Sequence, residues 1–243
     1  MKILILQNRM GIGDMIMFLP FIEAISKKFK TPVTILAKKN TKVEMYFNNK
    51  EIVEEIMYLE REDNKKHSGV KGFFKLVNEL KLKKFDKVFI FNSSLRYFLI
   101  SKFSGIKEVF HYPLFKKKNQ QIIEAAKEFT LKSIGEDIES TPRLFLKEQD
   151  ILKAKKDHSI DQSITNIILG IGGSGKTKRV PASIFKSFMS KVLKRSNCRF
   201  FLMTGNNIDE LKIMDEIIES EYKEYCTPPV SYTHLTLPTS YAV

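Results

Sequence analysis

The chain has 243 residues, and 43% of them are hydrophobic, which is enough to bury at least one core in one large or two small domains. Lysine and arginine outnumber aspartate and glutamate by 41 to 28. No DNA- or RNA-binding motif joins the short lysine runs. We therefore expect solvated basic faces, or an anionic membrane surface or acceptor, and no nucleic acid.

Cysteine and histidine usage argues against disulfides and structural metals. The two cysteines form no C-x-x-C pair, and the four histidines are scattered without zinc-ligand spacing. The apolar N-terminus is interrupted at Arg9 and again at Gly11, Gly13 and Asp14, well short of a membrane span. We expect a cytoplasmic protein with no metal, no export signal and no spanning helix.

The first part of the chain alternates between short apolar runs and amphipathic segments. This alternation predicts a parallel sheet covered by helices on both faces. Strands are predicted at 2–7, 32–37, 56–59, 86–92 and 108–112, and helices at 14–29, 72–85, 95–103 and 119–134.

A second alternating series follows Pro142, which favours extended chain before it. It predicts one complete α/β domain at 1–150 and part of another at 151–226. Both glycine-rich loops, 10–14 and 170–177, then lie at the carboxyl ends of strands, where ligands bind in open parallel sheets. The predicted elements of the second series are helix 151–156, strand 166–171, helix 181–195, strand 198–205 and helix 209–220.

The last seventeen residues, 227–243, contain no charged side chain, although 69 charged residues precede them. This segment resembles translated sequencing-adapter read-through, and we exclude it from the fold. The alternative is a genuine disordered C-terminus. If the segment is an artefact, the second domain is truncated.

The stretch Gly170–Thr177 matches the phosphate-loop pattern G-x-x-x-x-G-K-[ST]. Two features argue against this interpretation. Pro181 would damage a helix that began at Lys176, and the next strand ends in Thr204 and Gly205, without the carboxylate that holds magnesium. A phosphate-loop ATPase or kinase remains the alternative function.

The first loop, MGIGDM, lacks the third glycine of a dinucleotide fingerprint, and we expect no bound cofactor.

Together, residues 9–29 and 167–193 resemble the paired signatures of the lipopolysaccharide heptosyltransferases, members of glycosyltransferase family 9. The first has the opening strand, the Gly-Asp turn and an apolar-Pro helix. The second has a strand, a Gly/Ser-rich loop, a lysine and a proline, with Val180 where the family usually has an aromatic residue. A softer match is FLMTGNNIDE at 201–210.

The resemblance implies two facing Rossmann-like domains of the GT-B type and a metal-independent, inverting transfer. The donor would be ADP-heptose or a related nucleotide sugar. The acceptor would be the lipopolysaccharide core, with peripheral contact at the inner membrane. The family's further Asp-Ser/Thr-Gly motif with a nearby histidine is not found in this sequence. An inactive truncated fragment is therefore another alternative.

The resemblance also assigns candidate residues. Asp14 would be the catalytic base, although an aspartate at this position also suits an N-cap for a helix beginning at Met15. Gly11 and Gly13 would let the backbone turn and approach the acceptor or donor closely.

On the donor side, Lys178 would face the pyrophosphate, with Lys176 as the competing lysine. Ser174 and the backbone amides around Gly173 would donate hydrogen bonds. Glu210 would contact the sugar portion of the donor, or it would complement the dipole of its helix.

Overall fold

The computed structural model describes residues 1–9, 11–47, 50–114, 120–144, 146–172, 179–205 and 207–227. It divides into two compact units, Met1–Leu144 and Phe145–Val243. Every paired strand in both units is parallel to its neighbour. The predicted α/β class with parallel sheets is therefore confirmed.

The first unit is built on a five-stranded sheet in the order β3-β2-β1-β4-β5. Five helices connect or flank these strands. The strands are β1 (Ile3–Gln7), β2 (Val33–Ala37), β3 (Val53–Tyr58), β4 (Lys87–Ile90) and β5 (Glu108–His111), and the helices are α1 (Ile12–Ile16), α2 (Leu19–Phe29), α3 (Gly69–Lys83), α4 (Leu95–Phe103) and α5 (Ile122–Ile134).

The central strand β1 is buried on both faces, as its continuous apolar sequence requires. Ile3 and Ile5 pack into a cluster with α2 and α5, whereas Leu4 and Leu6 point into the opposite cluster with α3 and α4. Each such side chain contributes about 1.5–3 kcal/mol on burial. This two-sided core fixes the register of β1 and thereby the position of the loop that follows it.

The helix predicted at 14–29 is two helices, α1 and α2. Pro20 lies in the first turn of α2 and has no N–H to donate to the carbonyl of Ile16. The helix therefore ends at Ile16 and begins again at Leu19. The break leaves α1 as a separate short helix directly after β1.

The second unit contains a three-stranded sheet in the order β6-β7-β8. Leu169, Phe200 and Leu202 form a core with Ala182 and Met189 of one helix and with Ile217 of another. The elements are α6 (Glu148–Asp157), β6 (Thr165–Gly170), α7 (Ala182–Leu193), β7 (Cys198–Met203), α8 (Ile208–Ile218) and β8 (Cys226–Thr227).

Strand β8 was not predicted, because two residues carry no periodicity. Thr227, the first residue of the uncharged C-terminal segment, pairs with Phe201 of β7. Residues 228–243 lie outside the described chain.

Candidate active site

The order in which the chain adds strands to the sheet of the first unit reverses between β1 and β4. From β1 the chain crosses to β2 on one side, and from β4 it crosses to β5 on the other. In open parallel sheets such a reversal leaves a crevice outside the carboxyl ends of the two strands, which is the usual ligand site. Of the loop predicted at 10–14, residue 10 lies outside the described chain, Gly11 is the N-cap of α1, and residues 12–14 form the first turn of that helix. Helix α1 follows β1 at this edge of the sheet.

Three amide side chains, those of Gln7, Asn8 and Asn92, lie at this edge of the sheet, and we refer to them as the amide floor. Asn92 donates from Nδ2 to Asn8 Oδ1 at 3.2 Å and accepts the backbone N–H of Ser94 at 2.9 Å. Gln7 is fully buried, and its Oε1 accepts the backbone N–H of Arg9 at 2.9 Å. Its Nε2 has no hydrogen-bond partner in the described chain. These bonds fix the ends of β1 and β4 relative to each other.

Sequence reasoning missed this amide floor. The available signal was the polar Gln7 at the end of a buried strand, followed by Asn8, with Asn92 in the position after β4 that matches Asn8.

Gly11 controls how the chain leaves β1. It caps α1 with φ 101° and ψ 156°, a conformation open essentially to glycine alone. Gly13 differs, since it lies inside α1, is exposed, and a Cβ there would meet nothing within 4 Å. The backbone therefore requires glycine at position 11, whereas the space beside Gly13 is open.

Asp14 lies in the first turn of α1 and is half-buried. The alternative that Asp14 caps a helix beginning at Met15 is wrong, because the helix begins at Ile12 and its N-cap is Gly11. Within the described chain, the carboxylate takes part in no hydrogen bond or ion pair. The carboxylate of Asp14 therefore stabilises the described fold through neither a hydrogen bond nor an ion pair.

Tyr112 adds a third polar group without a partner in the described part of this unit. Its ring packs on Phe91 and Phe129 at centroid distances of 6.3 and 5.0 Å, and its buried hydroxyl has no partner among the described residues. Burial raises the pKa of Tyr112, and the nearby charge of Arg9 opposes that rise. The hydroxyl therefore stays protonated at neutral pH.

A cavity of about 510 Å³ opens where β5 meets α5. Its lining includes Ser93, His111, Tyr112, Glu128 and Lys132.

In the second unit, Glu210 braces the ends of β6 and β7. It is 6% exposed, and its Oε2 accepts the backbone N–H of Gly205 at 2.6 Å. A Cβ on Gly172 would lie 3.2 Å from the same oxygen, so both strand ends pass close to this carboxylate. The carboxylate predicted to touch the donor thus also holds the backbone at the carboxyl edge of the sheet.

Arg179 is clamped beside it. Its Nη1 donates to Asp209 Oδ2 at 2.6 Å, and its Nε lies 3.8 Å from Glu210 Oε1. Two carboxylates balance the charge of the single guanidinium and hold Arg179 against the first turn of α8. Arg179 was not among the predicted site residues, because its acidic partners lie about thirty positions further along the chain and form no local pattern with it.

The other predicted donor residues, Gly173, Ser174 and Lys178, lie outside the described residues, as do Lys176 and Thr177. Helix α7 begins at Ala182 with Pro181 as its N-cap, as the position of the proline predicts. A hydrolase phosphate loop places its Gly-Lys-Thr at the start of the helix. The late start of α7 therefore argues against the phosphate-loop alternative.

Across the described ranges, no three His, Cys, Asp or Glu side chains are grouped as a metal ion would require. None of the helices in that part of the chain combines the length and apolarity needed to cross a membrane.

No protein-family model matches the chain, and neither does any curated protein. Solved structures do match. A family 9 glycosyl transferase from Veillonella parvula superposes with a TM-score of 0.68 at 15% identity, covering 93% of this chain and 69% of that one. The described chain has the fold of the family 9 glycosyltransferases.

Two E. coli enzymes support the same fold. The ADP-heptose lipopolysaccharide heptosyltransferase II gives a TM-score of 0.62 at 16% identity, covering 94% of this chain and 72% of that one. The heptosyltransferase WaaC with ADP gives 0.62 at 13% identity, covering 95% and 75%. The predicted resemblance to family 9 is thus confirmed at the level of the fold.

Proposed function

We propose that the protein is a glycosyltransferase that moves a heptose from an ADP-activated sugar to a lipopolysaccharide core acceptor with inversion. One observation carries the proposal. In a fold shared with family 9 glycosyltransferases, the carboxylate of Asp14 lies at the switch point of the sheet without a partner in the described chain. A side chain that the fold does not use is available for chemistry.

In this mechanism Asp14 is the general base. The acceptor hydroxyl oxygen forms a bond to the anomeric carbon on the face opposite the diphosphate, and Asp14 takes the hydroxyl proton. The bond between the anomeric carbon and the diphosphate oxygen breaks, and ADP leaves with the electron pair. A single displacement of this kind inverts the anomeric centre.

On the donor side, Lys178 would neutralise charge on the departing diphosphate, and Ser174 with the amide of Gly173 would donate hydrogen bonds to it. We assign Glu210 to the donor site, chiefly as a residue that positions the backbone around the donor loop. Its bond to Gly205 supports this role, because it holds the carboxylate between the end of β7 and Gly172, where the donor loop begins.

The remaining features of the proposal rest on the resemblance to family 9 and on the charge of the chain. The two units would form a GT-B enzyme in the cytoplasm, and no cofactor or metal would take part. The acceptor is an anionic lipid-linked saccharide, which a chain of net charge +13 attracts. Peripheral contact with the inner membrane belongs to the same proposal.

Two lysine variants separate this proposal from the phosphate-loop alternative. We expect Lys178→Ala to weaken ADP-heptose binding about 10- to 100-fold, because it removes a charge-assisted contact. Lys176→Ala, the matched control, should leave binding within about twofold. Isothermal titration of both variants in the presence of a metal chelator measures this. Magnesium-dependent ATP hydrolysis that is lost in Lys176→Ala would contradict the proposal.

A further inference from the structure

The solvent side of α3 and the end of α4 form an unusual surface on the first unit. Val70, Phe74 and Phe103 are 74%, 57% and 63% exposed. Large apolar side chains exposed singly are common, whereas neighbouring exposed aromatic rings point to an interaction site.

The aromatic rings contact one another through Phe73. Its ring centroid lies 5.2 Å from that of Phe74 and 6.0 Å from that of Phe103. Arg96 covers Phe73 at 5.4 Å and is itself held by hydrogen bonds from Nη2 to the carbonyls of His67 and Gly69. Phe73 and Arg96 therefore hold the exposed rings in place. Because the rings are already ordered, binding a partner costs little conformational entropy.

The exposed face of α3 carries lysines and apolar side chains but no carboxylate. Glu79 is the only acidic residue of the helix. Its Oε1 lies 2.8 Å from Lys66 Nζ, and its Oε2 lies 3.2 Å from His67 Nε2. The residues of this face are Val70, Lys71, Phe74, Lys75, Asn78, Lys81 and Leu82.

A depression of about 490 Å³ adjoins the start of α3. Lys65, Lys66, Lys71 and Lys75 contribute to its lining. Of these, only Lys66 takes part in an ion pair within the described part of the chain. Lys65, Lys71 and Lys75, which form no ion pair within the described chain, thus lie together at the start of α3 beside the exposed Val70.

We propose that this α3–α4 surface, defined by Val70, Lys71, Phe74, Lys75, Lys102 and Phe103, docks on an anionic lipid bilayer. Aromatic rings enter the boundary between headgroups and acyl chains, and lysines bind the anionic headgroups. This inference deepens the membrane contact within the proposed function.

The charge of this surface argues against a second copy of the chain as its partner, and the exposed rings argue against a small free anion. In a two-fold dimer the same patch meets itself, so the lysines of one copy would face the lysines of the other. A small free anion would satisfy the lysines but would leave Phe74 and Phe103 in water. A bilayer with anionic headgroups accepts both kinds of side chain at once.

Vesicle sedimentation of the full chain tests the proposal. We expect binding to vesicles of phosphatidylcholine with phosphatidylglycerol and much weaker binding to phosphatidylcholine alone. Replacing Lys71, Lys75 and Lys102 together by glutamine should weaken partitioning about 100-fold, at about fivefold per lysine. Phe74→Ser with Phe103→Ser should weaken it about 10- to 100-fold.

Matched controls come from the second unit. Lys153, Lys156 and Lys212 are exposed and take part in none of the ion pairs of the described residues, so replacing all three by glutamine removes the same charge. Leu152→Ser replaces an apolar side chain that is 58% exposed, much like Phe74. Both controls should stay within about threefold of the unmodified chain.

Three outcomes would overturn the inference: no vesicle binding by the unmodified chain, an equal loss in the control triple variant, or unchanged binding of the serine double variant. Self-association in sedimentation velocity that the serine variant abolishes would assign the surface to a second copy instead. Vesicle binding without sugar transfer would refute the proposed glycosyl transfer alone, and transfer without vesicle binding would refute this surface and the proposed membrane contact but not the transfer.

Discussion

The two units use the same alternation of strands and helices but bury their sheets differently. In the first unit the strand order reverses at β1, and helices cover both faces. In the second unit the described strands follow chain order, and α7 and α8 pack into one cluster on one face. Ile168 on the other face of β6 remains 42% exposed. Topology, rather than composition, determines which sheet forms a two-sided core.

The same difference separates the two candidate sites. A reversal of strand order creates a crevice from the fold itself, and Asp14 lies there. The described part of the second unit has no such reversal, so the proposed donor site depends on loop residues. Its carboxylate, Glu210, is buried and holds backbone, whereas Asp14 has no partner among the described residues.

The largest expected effect tests the two-sided core. Ile5→Ala should lower the free energy of unfolding of the first unit by about 2–5 kcal/mol, because it leaves a cavity in a fully buried strand. Ile168→Ala, the same change on the uncovered face, should cost less than about 1 kcal/mol. Native-state hydrogen exchange, resolved by unit, measures both values. Equal losses would show that the sheet of the second unit is covered as well.

A smaller effect separates the two glycines of the first loop. Gly11→Ala should destabilise the first unit by about 1–3 kcal/mol, because alanine is strained at φ 101°. Gly13→Ala should be neutral or slightly stabilising, since it replaces glycine within a helix. Chemical denaturation checks both variants. Comparable losses would mean that Gly13 also carries a backbone constraint.

The smallest effect concerns the carboxylate of the second unit. Glu210→Gln should cost about 1 kcal/mol, because the amide oxygen still accepts from Gly205 while the charge beside Arg179 is lost. The control is Asp215→Asn on the exposed side of the same helix, with a change below about 0.5 kcal/mol. Thermal unfolding of both variants compares them, and a silent Glu210→Gln would show that the charge of Glu210 beside Arg179 adds nothing to stability.

Much of the fold follows from sequence periodicity, as β1 and α4 illustrate. The predicted strand 2–7 contains the apolar run 3–6 and becomes the doubly buried central strand, and the helix predicted at 95–103 has those bounds. The predicted elements are wrong or missing where one residue overrides the hydrophobic period, or where an element is too short to show a period. Pro20 splits a helix whose apolar spacing continues across it, and the two residues of β8 are too few to show a period.

The site was predicted unevenly for a related reason. Glycine and aspartate after an apolar run indicate a strand-end turn, so Asp14 and Gly11 could be found from the sequence. The amide floor of Gln7, Asn8 and Asn92 joins residues 84 positions apart, and only the strand order brings them together. Likewise, the clamp on Arg179 depends on how α8 packs rather than on a local pattern.

The central claim is that Asp14 serves chemistry and not the fold. The most direct test is the rate of heptose transfer from ADP-heptose to a lipopolysaccharide core acceptor by the Asp14→Asn variant, measured together with its unfolding free energy and donor affinity. We predict a kcat lower by about 10²- to 10⁴-fold, with stability within about 0.5 kcal/mol and an unchanged donor Kd. Retained transfer, or a kcat loss that merely follows unfolding, would contradict the claim.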